Sequence, residues 1–540
     1  MPNEPGARRL LTPGTWPDGF DWDIPERFNI AERCCDSWAA ADPDRLALIH
    51  VGSRGDARWS YGDLSAASDR AAGALAAAGV RRGDRVAVLL PQGPATLIAH
   101  FATYKLGAIA VPLFTLFGPE ALAFRLRDSG AKVAVTDPEN LEKLTALRDG
   151  LPDLVAVFCT GGGGDGAHDF DRAARTHAPL AARADTRAED PAVLIYTSGT
   201  TGPPKGALHA HRFLLGHLTC MEVHHEGYPA PGDVGWTPAD WAWIGGLMDM
   251  AMPCLYYGVP LVSHRMRKFD AAAAWELIAR LGINRLFVPP TALKLMRQAP
   301  VPAGVAVRSI GSGGESLGPD LLAWGRDALG APINEIYGQT ECNLVVASAR
   351  GQGVARQGAM GRAVPGHILA VLDAEGREVP AGEEGEICVR APDPVMFLGY
   401  WNRPDATTEK LRDGWLRTGD LGRRDADGYV WYVARDDDVI TSSGYRIGPT
   451  EIENCLKGHD DVVQAAVVGL PDPDRTEVVT AFVTLRDGAD WEGLEADLIA
   501  RVRSQVSPHL APRRVHRVDA LPTTATGKIR RRALRESPPV

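Results

Sequence analysis

The stretch best equipped for chemistry runs Tyr196-Thr197-Ser198-Gly199-Thr200-Thr201-Gly202-Pro203-Pro204-Lys205-Gly206, directly after the apolar run Ala192 to Ile195. Glycines let a backbone turn its N–H groups inward, the hydroxyls add donors, and Lys205 supplies a cation. That combination suits a polyphosphate. It is not a Walker A loop, which requires Gly before the Lys and Ser or Thr after it, because Pro204 and Gly206 hold those places. A loop rich in Gly, Ser and Thr also serves as a plain linker, so the lysine and the complete string carry the reading.

Bulk properties narrow the partners. A formal charge of -10 argues against a general nucleic-acid binder, which needs a concentrated basic face, and leaves a nucleotide ligand open. The eight cysteines are scattered without C-x-x-C or zinc-like spacing, so they read as free, mostly buried thiols of a reducing, cytoplasmic protein. The N-terminus lacks the apolar core of a secretory signal. The longest apolar stretch, Trp243 to Val262, is interrupted by Asp249, Pro253 and Pro260, which favours a buried helix followed by a strand over a membrane span.

The elements that must position the loop follow a layered pattern. At 540 residues the chain exceeds one hydrophobic core. Ser60-Tyr61-Gly62-Asp63 reads as a capping box opening an Ala-rich helix that Gly79 closes. Arg85 to Leu90 is a continuous apolar run stopped by Pro91. A helical stretch Ala95 to Leu106 then leads to Ala108 to Pro112, and Lys132 to Val135 and Leu154 to Phe158 repeat the strand signal. This alternation predicts an α/β domain. Gly161 to Gly164 reads as a surface loop. Near the C-terminus, short apolar strands (Ala465 to Val468, Val478 to Val483) surround an amphipathic helix near Trp491 to Val506, predicting a small α+β domain. The charged run Arg435-Asp436-Asp437-Asp438 just before it reads as a hinge or as a solvated turn.

The loop resembles the signature segment of the adenylate-forming superfamily, and further segments resemble that family in order along most of the chain. Gly311-Ser312-Gly313-Gly314-Glu315-Ser316 is similar to its adenine-side loop, and Glu335-Ile336-Tyr337-Gly338-Gln339-Thr340-Glu341 to its next ATP segment. The resemblance implies Tyr337 against adenine, Thr340 at the α-phosphate and Glu341 on Mg²⁺. Trp415-Leu416-Arg417-Thr418-Gly419-Asp420 resembles the ribose segment, where a carboxylate accepts from both hydroxyls. The run from Asp436 to Glu453 resembles the interdomain segment. It implies Arg435 on ribose or phosphate, Asp437 as pivot, Arg446 on phosphate, and Ser443 and Gly444 beside the pantetheine path. Ala434, where Gly is usual, and Thr441, where Lys or Asn is common, depart from the pattern. Leu521 to Arg530 resembles the C-terminal segment of the catalytic lysine, here Lys528. The implied division is residues 1–434 for ATP and acyl binding, 435–439 as hinge and 440–540 as a mobile domain.

The family's reaction begins with attack of a carboxylate on the ATP α-phosphorus and departure of pyrophosphate, a step governed by positioning and charge. Lys205, Lys528, Arg446 and Mg²⁺ on Glu341 are the implied cations. Transfer of the acyl group to coenzyme A follows. Acetyl-specific members carry a tryptophan where this chain has Gly338, so the resemblance implies a longer short- or medium-chain acid or an aryl acid. Trp236 to Trp243 resembles the aromatic segment beside that pocket, and its tryptophans either line the site, Trp243 above all, or pack the core. Alternatives are a stand-alone adenylation enzyme loading a carrier-protein thiol, a luciferase-like oxygenase and a non-catalytic sensor. Expected partners are a small carboxylic acid and coenzyme A, with self-association left open.

Overall fold

The computed structural model describes residues 9–53, 55–164, 166–197, 203–315, 317–435, 438–442, 445–472, 476–506, 508, 510–524 and 528–539. The Ala-rich segment forms α1 (Tyr61–Ala77). Ser60 accepts from the Asp63 N–H while the Asp63 carboxylate accepts from the Ser60 N–H, and this reciprocal cap fixes where the helix starts. Gly79 ends it at φ +96°, a left-handed conformation that costs glycine nothing.

The predicted apolar runs become β1 (Arg85–Leu89), β2 (Ile109–Pro112) and β3 (Ala131–Thr136), joined by α2 (Pro94–Lys105) and other helices. They are parallel neighbours in the order β2, β1, β3 and continue to the strand Ala156–Cys159. On the other side β2 pairs with β4 (Pro191–Thr197), which turns back antiparallel into β5 (Lys205–Ala210). Strands β4 and β5 therefore flank the candidate phosphate segment in sequence, and they lie at one flank of an eight-stranded sheet among the described residues.

A second, fourteen-stranded sheet among the described residues faces this one. It contains β6 (Ser309–Gly313) and β7 (Ile333–Gln339), which are parallel, then antiparallel β8 (Cys342–Ala347), β9 (Trp415–Arg424) and β10 (Tyr429–Arg435). Between the sheets runs α3 (Phe213–His224), all of whose residues are buried. A helix covered all round belongs in a core between layers. Residues 244–256 form a continuous helical stretch with a π turn at Leu247–Ala251, followed by the strand Leu261–His264, as the apolar stretch predicts. Asp249 does not interrupt the helix. It is buried within it.

The C-terminal part is a small α+β unit with its own core, which begins at Ile440 and includes Ile447, Ile452, Val467, Ala481 and Leu498. Its two short predicted strands are the middle of a long hairpin, β11 (Val462–Asp472) and β12 (Thr476–Leu485). α4 (Pro449–Lys457), α5 (Leu494–Gln505) and α6 (Arg531–Glu536) complete it. No helix among the described residues is long and apolar enough to cross a membrane. All eight cysteines are free and seven are buried.

Candidate functional site

Three strand ends and one loop of the small unit converge. On the hairpin, Thr197 lies opposite Lys205, and its hydroxyl donates to the Lys205 carbonyl at 3.3 Å. The Lys205 ammonium stands 5.1 Å from the ring centroid of Tyr400. Tyr400 belongs to a two-residue strand, Gly399–Tyr400, paired with β5, and its hydroxyl donates to Oε1 of Glu341. Glu341 is only 8% exposed. One aromatic ring thus links the lysine of the first motif to the acid of the third.

The β7–β8 turn carries Thr340 and Glu341, and β7 itself carries the ribose-side network. The Tyr337 hydroxyl donates to Oδ2 of Asp420 at 2.7 Å, and Nε2 of Gln339 donates to the same oxygen at 2.6 Å. Gln339 also donates to the Thr418 carbonyl and accepts from Lys410, so its amide orientation is fixed from both ends. Asp420 sits opposite Arg435 across β9 and β10, with Arg435 Nε 3.7 Å from Oδ1. Oδ2 is committed to protein donors, and Oδ1 is the oxygen turned toward the Arg435 guanidinium.

Lys528 comes from the small unit. Its loop is closed by Thr524 N–H to Lys528 C=O at 2.8 Å, Lys528 N–H to Thr524 Oγ1 at 3.1 Å, and Arg530 N–H to Pro522 C=O at 2.8 Å. A Cβ built on Gly314, at the end of β6, would lie 3.8 Å from Lys528 Cε and 3.6 Å from the Trp243 ring. The lysine therefore enters the large domain's site between the adenine-side loop and the aromatic segment. Lys528 remains exposed to solvent while lying among charged groups of the large domain. Desolvation lowers its pKa, Arg435 lowers it further, and Asp420, Glu315 and Glu341 oppose the shift.

The structure separates the three tryptophans of the aromatic segment. Trp236 and Trp241 are fully buried, with indole N–H groups that find no partner among the described residues, and they pack the core. Trp243 is half-buried, stacks obliquely on Phe287 with centroids 5.5 Å apart and reaches the site. Gly338 meets a different demand from the one the sequence implies. A Cβ there would come within 2.3 Å of Leu344 N and 2.7 Å of Asn343 Cα. Glycine is required for the close approach of β7 and β8, so its smallness does not by itself measure acyl room.

Other sequence candidates divide. Ile336 is buried and packs against Gly313, so only its backbone is available to a ligand. Glu335 pairs with Arg350 at 3.2 Å, and burial pushes its carboxyl up to about 7. Glu315 accepts from the Thr291 hydroxyl at 3.4 Å. Ser198, Gly199, Thr200, Thr201, Gly202, Ser316, Asp437, Ser443 and Gly444 lie outside the described residues, as does the side chain of Arg446. Sequence reasoning missed Tyr400 and Lys410. The aromatic pair Tyr400-Trp401 was the one visible signal, and nothing in its spacing linked it to Lys205 or Glu341.

The family model for AMP-binding enzymes matches residues 35–401, and that for the AMP-binding enzyme C-terminal domain matches residues 451–528. The chain is 32% identical over 530 residues to the mitochondrial acyl-coenzyme A synthetase ACSM4 of Rattus norvegicus, covering 95% of this chain and 91% of that one. It is 31% identical over 514 residues to the acetyl-coenzyme A synthetase of Bacillus subtilis, covering 91% and 87%. An anthranilate CoA ligase solved with anthranoyl-AMP superposes with a TM-score of 0.88 at 28% identity, over 95% of this chain and 98% of that one. The chain belongs to the AMP-binding enzyme family, the adenylate-forming superfamily, and its activity class is that of an AMP-forming acyl-CoA synthetase.

Proposed function

We propose that the protein activates an aryl or a short- to medium-chain carboxylic acid with Lys528 as the cation at the reacting carboxylate. The observation that carries this is the meeting of Lys528, Gly314 and Trp243, bounded by Arg435, Asp420 and Glu341. A carboxylate seated beside Trp243 has its oxygens within reach of the Lys528 ammonium. One oxygen attacks the α-phosphorus, the bond from that phosphorus to the bridging oxygen breaks, and pyrophosphate leaves. Arg435 and Lys205 hold negative charge in place, and Asp420 Oδ1 takes the ribose hydroxyls. Thr340, in the turn beside Glu341, is the proposed donor to the α-phosphate.

Glu341 suits Mg²⁺ that arrives on ATP. One oxygen is oriented by Tyr400, the other is left for an ion, and the described residues contain no cluster of three ligating side chains that would bind a metal without substrate. When bound, the ion would neutralise phosphate charge.

For the second step we propose that residues 435–439 act as hinge between 1–434 and 440–540, since β10 ends at Arg435 and the small core begins at Ile440. Rotation there withdraws Lys528 and admits coenzyme A, whose thiolate attacks the acyl carbonyl with AMP leaving. Near full-length similarity to coenzyme A synthetases supports this acceptor over a carrier-protein thiol. Free cysteines support a reducing compartment such as the cytoplasm. The test is pyrophosphate release against acetate, butyrate, octanoate and benzoate, with and without coenzyme A. Thioester formation from octanoate or benzoate exceeding that from acetate is expected. Release without thioester would overturn the acceptor, and acetate as the best acid would overturn the substrate class.

A further inference from the structure

A buried polar group near the acyl side of the site has no role in the reaction described above. Asp249 lies in the π turn of the helical stretch that follows Trp243 and is 4% exposed. Its one hydrogen bond among the described residues is at Oδ1, from the Asn343 amide. The same amide nitrogen is 3.1 Å from His217 Nε2. His217 Nδ1 faces the Phe213 carbonyl at 2.7 Å, so Nδ1 carries the proton and Nε2 accepts. Both Asn343 amide protons are thereby used. Asn343 Oδ1 and Asp249 Oδ2 have no partner among the described residues, and neither is among the unpaired atoms sealed from solvent.

The location gives these two oxygens a direction. Asn343 is the residue against which a Cβ at Gly338 would collide, so it stands directly behind the ATP-site strand. Asp249 is six residues along the helix from Trp243, about 9 Å at the usual rise per residue. Asn343 thus adjoins the site through Gly338, and Asp249 stands on the helix that Trp243 leads into, so the pair borders the site from two elements. A buried carboxyl and amide with unused hydrogen-bonding capacity are costly in an apolar pocket and are relieved by a ligand that pairs with them. Burial holds the Asp249 carboxyl well above the ordinary carboxylate range, so it keeps a proton and offers both a donor and an acceptor.

We propose that Asp249 and Asn343 form a polar end wall of the acyl pocket, and that the acid activated carries an amino or hydroxyl group at the end remote from its carboxylate. This rests on the ligase reading above and narrows its substrate.

The test is pyrophosphate release by the full-length enzyme with meta- and para-aminobenzoate, meta- and para-hydroxybenzoate and 6-hydroxyhexanoate, each beside its methyl isostere. At least one polar acid is expected to exceed its isostere in kcat/KM by about tenfold or more. Asp249→Leu should remove that preference, lowering kcat/KM for the polar acid at least about tenfold more than for its isostere, and Asp249→Asn should retain part of it. Turnover of polar and methyl acids at equal rates by the wild-type enzyme overturns the inference, whether or not Asp249→Leu folds. So does an equal loss on both in that variant. Failure of the ligase reading looks different, with no pyrophosphate from any acid, and sinks both.

Discussion

Arg531 Nη1 lies 3.1 Å from Oδ2 of Asp438, and the same guanidinium grips both oxygens of Glu453. Arg535 takes the other Asp438 oxygen at 2.6 Å. Asp438 is in the proposed hinge, and Arg531 opens α6, three residues beyond Lys528. The helix behind the catalytic loop is thus pinned to the segment about which the small unit turns. Breaking such a pair by removing one partner costs about 3 kcal/mol. Arg531→Ala should lower acid-dependent pyrophosphate exchange by about tenfold or more and spare thioester formation from supplied acyl-adenylate, with Arg531→Lys recovering part. Equal loss in both half-reactions, with the fold intact by circular dichroism, would show a merely structural role.

Lys528→Ala should abolish adenylation, by about 100-fold or more, and leave transfer from supplied acyl-adenylate nearly unchanged. The lowered pKa adds a pH signature. The ammonium form is present below that pKa and is lost as pH rises through it, so adenylation should decline at a pH below the ordinary lysine value of about 10.4. A pH–rate profile of pyrophosphate exchange flat into the range of free lysine would contradict this.

Tyr400 separates two contributions that its ring combines. Tyr400→Phe keeps the aromatic face under Lys205 and removes the donor to Glu341, whereas Tyr400→Leu removes both. The first should raise the KM for MgATP by about threefold to tenfold and steepen the dependence on Mg²⁺ concentration. The second should cost about threefold more. Titration of both variants with ATP at fixed and varied Mg²⁺ reads the two effects, and indistinguishable variants would refute the division.

Legibility in the sequence tracked how local each cause was. The capping box at Ser60 and Asp63, the apolar run of β1 and the apolar strand before the Gly/Ser/Thr loop follow from neighbouring residues, and each element formed within a few positions of its signal, whereas the returning strand β5 was not signalled. The strands of the small unit were under-read, because Asp472 and Thr476 at the hairpin end lack apolar character and join the ladder only through cross-strand pairing. At the site, the order of motifs marked Lys205, Tyr337, Asp420 and Lys528 as partners. The Tyr400–Glu341 contact and the Asp249–Asn343 pair were invisible, since they join residues 59 and 94 positions apart through packing alone. Trp243 illustrates the intermediate case. Its type was legible, but only the geometry distinguishes it from Trp236 and Trp241.

Gly338→Ala discriminates packing from pocket. The added methyl would meet backbone atoms at 2.3 to 2.8 Å, and backbone cannot swing aside as a flexible side chain does. The β7–β8 hairpin must shift, displacing Tyr337, Gln339 and Glu341 together. The variant should lose about 1–3 kcal/mol of stability and bind ATP more weakly with every acid. A variant of wild-type stability that only shortens the accepted acyl chain would restore Gly338 to the role of pocket space.

Lys105 tests what holds the large domain together away from the site. It is 1% exposed, with Nζ 2.8 Å from both Asp36 Oδ1 and Asp69 Oδ1 and 2.7 Å from the Ser68 hydroxyl. Arg183 closes the cluster on the outer oxygens of both acids. Lys105→Met leaves the buried Asp36 carboxylate without its inner cation and should cost about 3–5 kcal/mol in urea unfolding. The acid limb should move as well. Burial pushes the Asp69 carboxyl up, but hydrogen bonds from Arg183 and Lys105 outweigh it, and its pKa lies below the ordinary value. The stability this contributes is present above the unfolded pKa of about 3.9 and is lost as pH falls through the folded value. Without Lys105 the folded pKa rises, so acid unfolding followed by tryptophan fluorescence should begin at higher pH than in the wild type. A variant that loses less than about 1 kcal/mol and unfolds at the same pH would show that Arg183 alone suffices.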